Sequence, residues 1–168
     1  MSVISTMVEG WELNRHQTLR LLDAIEALPN PEHVLGWRPA PGRAHIAWQL
    51  MHIGISEEVV ATEDRLGQAP DFAEYVPRFK SGSTPDEEIP SPARIREVLN
   101  SSREHLVRTV STFSDRDLET IPEAYRERGW SFAKFLRIVA WHEAHHQGQA
   151  HLTLNMYRAA HPESATNG

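Results

Sequence analysis

Apolar positions along this chain recur at threes, fours and sevens, the spacing that gathers them on one side of an α-helix. The first run spans about Val3 to Leu28, with Val8, Trp11, Leu22, Ile25 and Leu28 on the stripe, Thr18 as its one polar member and Leu21 widening it. It stops at Pro29-Asn30-Pro31, and Gly36, Pro39, Pro41 and Gly42 argue against regular helix between Glu32 and Arg43. A second run, about Ala44 to Leu66, carries Ile46, Leu50, Ile53, Val60 and Leu66, with Gly67 placed as a C-terminal stop. The third opens at Ser91-Pro92, serine as cap and proline in the first turn. It continues through Ile95, Val98, Leu106, Val107 and Val110 to about Phe113, and Ser114 to Leu118 predicts one further capped turn. The fourth starts near Ser131 and reaches about Ala160, with Phe132, Phe135, Leu136, Ile138, Val139, Leu152, Leu154 and Met156 as its apolar set.

No convincing strand alternation interrupts these runs. The pattern predicts an all-α protein, a four-helix bundle forming one domain over residues 1–160, followed by a short polar tail, 161–168. The connections are long enough for crossovers, so simple up-and-down topology is not required. The longest, Gln68 to Pro90, exceeds ordinary loop lengths and predicts either a flap over something or a poorly ordered segment.

Charge and composition narrow the function by exclusion. The net charge is −6 with Lys and Arg scattered, so no nucleic-acid footprint is present. No apolar run approaches the ~20 residues a membrane helix needs, and the first ten residues lack the basic start of a signal peptide. A cytoplasmic protein is the expectation. There is no cysteine, so any thiol chemistry must draw its thiol from a substrate.

Histidine changes the picture most. Of ten histidines, His142, His145, His146 and His151 fall within one stretch of the fourth helix. His142 and His146 are four apart and share a helix face, so both imidazoles can close on one metal ion. His52 lies on the second helix between apolar neighbours, where a histidine must be bonded to a partner or bound to something. Three imidazoles from two bundle helices make a facial set for Zn, Ni or Fe with open positions for water or substrate. His45, seven residues before His52, shares its face and is a candidate for the pocket mouth. Gln149 continues the face of His142 and His146. His16, His33, His105 and His161 carry no pattern and are expected on the surface.

His142-Glu143-Ala144-His145-His146 also spells H-E-x-x-H, in which Glu143 would be the general base of a zinc protease. The longer form of that motif needs a glycine and a third histidine one position later than Gly148 and His151. Glu163, the remaining acidic candidate, lies in the tail, and no sheet scaffold is predicted. The protease reading fails on context.

Two blocks carry a resemblance. Gly36 to Ile53 is a Pro/Gly loop leading into a helix with a histidine near its middle, and His142 to Gln149 matches an H-x-x-x-H-x-G-Q signature. Together they resemble the DinB/YfiT-like superfamily of metal-binding four-helix bundles. That resemblance implies His52, His142 and His146 as metal ligands, Gly148 as a small residue allowing close helix approach, and Gln149 as a polar neighbour of the site. Gln147 stands where the family usually has arginine. His45 stands where a small hydroxyl residue is common, which removes an expected helix cap. The resemblance further implies a small-molecule substrate, a homodimer, and a transferase using a low-molecular-weight thiol such as bacillithiol or mycothiol as cosubstrate. A hydrolase at the same site is the alternative, and a non-catalytic metal-binding or dimeric interaction bundle is a third reading.

Overall fold

In a computed structural model the described residues are 2–66 and 68–162, with the side chains of 63–66 outside that description. The glycine stop expected at Gly67, the Leu66 contact and the tail from 163 onward therefore lie outside the described residues. Among the described residues there are six α-helices: α1 Val3–Glu26, α2 Pro31–Gly36, α3 Ile46–Leu66, α4 Val76–Phe79, α5 Pro92–Val110 and α6 Phe132–Ala160. The four long ones, α1, α3, α5 and α6, are the four helices the apolar periodicity predicts. Ser2, Ser91 and Ser131 cap α1, α5 and α6, each accepting a backbone N–H three residues on. The capped turn after α5 also forms, at Asp115–Asp117, with Ser114 and Asp117 bonding reciprocally.

The expectation of no regular helix between Glu32 and Arg43 is corrected by α2. Pro31 sits at its first helical position, where a missing N–H costs nothing. The helix survives because Val34 and Leu35 are buried against α3, a tertiary contact the local proline and glycine content does not reveal.

A layer of buried charge organises the core. Arg15 on α1, Glu57 on α3, Arg103 on α5 and Glu143 on α6 meet in the bundle interior, each at most 5% exposed. On one side lie Leu22, Ile25, Leu50, Ile53, Ile95, Leu99 and Leu154; on the other Trp11, Ala61, Leu106, Val110, Phe132 and Leu136. Read along each helix, α1 and α6 pass from the Trp11 side to the Leu50 side, whereas α3 and α5 run the opposite way. Contacts join α3 to α5 and α6, and α1 to α6 and α5, so α1 faces α3 and α5 faces α6 across the two diagonals.

That arrangement explains the long connection before α5. Because α3 and α5 are parallel neighbours, the chain must travel back along the bundle, about 30 Å for a helix of 21 residues. Residues 68–90 make that return as an ordered cover with two helical turns, Ala73–Tyr75 and α4, and Phe72 and Phe79 buried in the core. Helices α3 and α5 pack tightly at Gly54, where a Cβ would lie 2.8 Å from Val98 Cγ1.

Candidate metal centre

His52, His142 and His146 come together, each offering a ring nitrogen within 4.8 Å of the others. The two adjoining helices set this up: His52 lies in the middle of α3, His142 and His146 one turn apart on α6. His52 Nε2 and His142 Nε2 are 3.1 Å apart. Ligands of a tetrahedral ion with bonds of about 2.0 Å stand roughly 3.3 Å from each other.

The hydrogen bonds on the far side of the rings decide which nitrogens face inward. His52 Nδ1 lies 2.6 Å from the carbonyl oxygen of Phe79, which can only accept, so the ring proton sits on Nδ1 and Nε2 keeps its lone pair. His146 Nδ1 donates to Gln49 Oε1 at 2.5 Å, and the same logic applies. Gln49 is itself held, its amide donating to Gln149 Oε1 at 3.0 Å. Trp48 stacks on the His52 ring at 4.6 Å between centroids and fixes its plane. This is the outer layer that orients and tunes metal-binding histidines.

Electrostatics keep the three rings neutral. Burial draws His142 down to about 4 and His146 to about 3, and the crowding of neighbouring imidazoles adds to both. Burial likewise lowers His52, against the opposing pull of the Phe79 carbonyl. Neutral imidazoles with inward lone pairs are the donor set a divalent cation requires. The residues present fit such an ion.

The remaining expected residues divide. Gln149 is a neighbour of the site, two hydrogen bonds removed from His146 through Gln49, and it also bonds His145 at 2.6 Å. His45 does not join the histidine group. It accepts the Trp48 backbone N–H on Nδ1 at 3.0 Å and meets the Asp86 carbonyl through Nε2 at 3.1 Å. The cap thought lost by placing histidine here is supplied by the imidazole itself, and burial with nearby Arg38 lowers its pKa. Gly148 is also corrected: it is exposed and a Cβ there meets nothing within 4 Å, so Gly54 is the glycine of close approach. Glu143 points away from the histidines into the charge layer, 1% exposed and paired with Arg15 at 2.7 Å and with Arg103. It is not placed to act as a base.

Leu152 and Met156, expected in the core, are 60% and 43% exposed. They line a cavity of about 360 Å³ with Arg43, Trp48, Gln49, Gln149 and Thr153, which adjoins the histidines through Gln49. Helical periodicity marks them apolar but not which neighbour they meet. His33, His105 and His161 are not free surface groups: His161 stacks on Tyr157 at 4.3 Å, His33 lies edge-on to the same ring, and His105 bonds Glu58. Sequence reasoning missed Gln49 and the Phe79 carbonyl. Gln49 had a faint signal, a polar residue one turn from His52 on a helix face that is otherwise apolar; the carbonyl had none.

No helix among the described residues is long and apolar enough to cross a membrane. No match was found among curated proteins. A family model described as the DinB superfamily matches residues 11–150, which takes in α3 and α5 whole, most of α1 and α6, and the whole histidine group. With that match over most of its length, the chain belongs to the DinB superfamily.

Proposed function

We propose that this protein is a metal-dependent enzyme in which His52, His142 and His146 hold a divalent cation, Zn, Ni or Fe, and activate a small nucleophile. The observation that carries this reading is the oriented donor set: two Nδ1–H groups are tied to oxygen acceptors, and the Nε2 lone pairs turn inward. Bound there, a divalent cation supplies the positive charge that acidifies a thiol or a water on the open side. Among the described residues three protein donors converge, whereas a closed structural site uses four.

The protein's own residues do the rest. Gln49 and the Phe79 carbonyl fix ring orientation, and Trp48 walls one side. The adjoining cavity, with Leu152 and Met156 on its apolar side and Arg43 at its edge, suits a small amphipathic molecule. Transfer from a low-molecular-weight thiol is the reaction favoured by the family resemblance, and with no cysteine in the chain the thiolate would be the cosubstrate's own. Hydrolysis of an ester or amide is the alternative at the same atoms.

The test has two stages. Purified protein binds one divalent metal at this site and His52→Ala loses it, with the fold retained by circular dichroism. Metal-loaded protein given bacillithiol or mycothiol and an electrophile then forms conjugate above background. Turnover of a simple ester without conjugate selects the hydrolase, and equal metal binding by His52→Ala removes the site.

A further inference from the structure

The side of α6 that meets α1 carries an arrangement the histidine group does not use. Gln147, His151 and Arg158 recur there at a four and a seven, a single stripe along the helix. Across from them, Gln17 and Arg20 stand one turn apart on α1. These five side chains line a cavity of about 250 Å³ in the groove between the two helices, together with the buried Leu21 and Leu154.

Three observations give the cavity its chemistry. Its charge has one sign: two arginines and a histidine line it and no acidic side chain does among the described residues, in a chain with 23 acidic residues against 17 basic ones. Its donors are uncommitted, because among the described residues none of the five polar side chains makes a hydrogen bond or ion pair. Arg38, Arg78, Arg94 and Arg96, by contrast, are each met by a carboxylate. Finally, Gln147 and Arg158 are half-buried beside the apolar Leu21 and Leu154, where an unmet donor costs more than at an open surface.

We infer that this groove binds a small phosphate dianion, either the free ion or the head of a phosphate monoester. Two guanidinium forks, one from each helix, match its charge and grip its oxygens in pairs. The glutamine amides and the His151 ring N–H supply donors for the oxygens that remain. The cavity lies below the usual range for a drug-sized ligand, about 300–1,000 Å³, so the occupant is small. It is separate from the metal centre: His146 bonds Gln49 on α3, and a step of about 100° round the helix turns Gln147 toward α1 instead.

The experiment is isothermal titration of the full chain with inorganic phosphate and with glycerol phosphate. One equivalent binds, and Arg20→Ala and Arg158→Gln each weaken it roughly tenfold or more. Gln147→Glu, which sets a carboxylate into the groove, abolishes it. Arg20 is exposed, so its variant keeps the fold and reads the site even where another does not. Tighter binding of inorganic phosphate assigns the free ion and tighter binding of glycerol phosphate assigns an ester; either upholds the site. Absence of saturable binding by both probes overturns it, as does unchanged affinity in Arg20→Ala or equal displacement by acetate. Phosphate held on a metal would be lost in His52→Ala, so retention there upholds the groove and loss overturns it. The groove and the metal centre therefore fail separately.

Discussion

Two polar clusters share the interior of this bundle, and they are built on opposite principles. The Arg15, Glu57, Arg103 and Glu143 quartet is electrically complete: two guanidinium groups and two carboxylates, joined across both diagonals of the bundle. Thr18 adds a hydrogen bond to Glu143 at 2.9 Å. The histidine group gathers three like donors with no opposing charge among them and, at His52 and His146, holds the Nδ1 protons outward so that the Nε2 lone pairs are free. Glu143 and His142, adjacent in sequence, belong one to each. A cluster whose charges balance holds helices in register, even with Arg103 Nη1 left without a hydrogen-bond partner; donors turned in one consistent direction are arranged for something else.

The largest effect should come from unbalancing the quartet. Burial raises the Glu57 carboxyl, but Arg15 and Arg103 outweigh it and hold it below the ordinary range. Glu57→Ala leaves two buried guanidinium groups sharing the single carboxylate of Glu143 and should cost about 3–5 kcal/mol in chemical denaturation. A cost below ~1 kcal/mol, the size of a surface pair, would show that the quartet is not a structural layer.

Gln49→Ala should do the reverse, sparing the fold and weakening the site. Freeing the His146 ring should reduce metal affinity roughly 10- to 100-fold, the usual cost of losing such a partner, with the melting temperature of the metal-stripped protein nearly unchanged. Unaltered affinity would demote Gln49 to packing.

The mildest contrast is with pH. The folded protein keeps His142 near 4 and His146 near 3, whereas the unfolded chain takes up protons near 6.5. The unfolded state therefore binds more protons below 6.5, and the metal-stripped protein should lose stability progressively as pH falls from about 6.5 toward 4. Glu57, held low by its two arginines, adds its own loss only as pH falls toward the ordinary carboxylate value of 4.5, so the histidine effect is read above pH 5. A melting temperature flat between pH 7 and 5 would mean that the three rings are not held neutral.

Much of this was legible in the residue order because helices are local. Periodicity located α1, α3, α5 and α6, serines marked three of their starts, and an i, i+4 pair on α6 with a histidine on α3 named the three donors. The family likeness was legible for the same reason, since its motifs sit within single helices. Local rules failed at α2, where packing of Val34 and Leu35 overrode proline and glycine, and at Leu152 and Met156, where an apolar position faces a cavity.

The sequence by itself determined which segments are helical, which histidines share a face, and that no cysteine can contribute a thiolate. Only the tertiary structure decided that α3 and α5 run parallel, that Glu143 turns into the charge layer, and that Gln49 and the Phe79 carbonyl fix the imidazoles. The reason is distance along the chain. Helix formation and face sharing depend on residues three or four apart, while the orientation of His52 depends on a carbonyl 27 residues away and that of His146 on a glutamine 97 residues away.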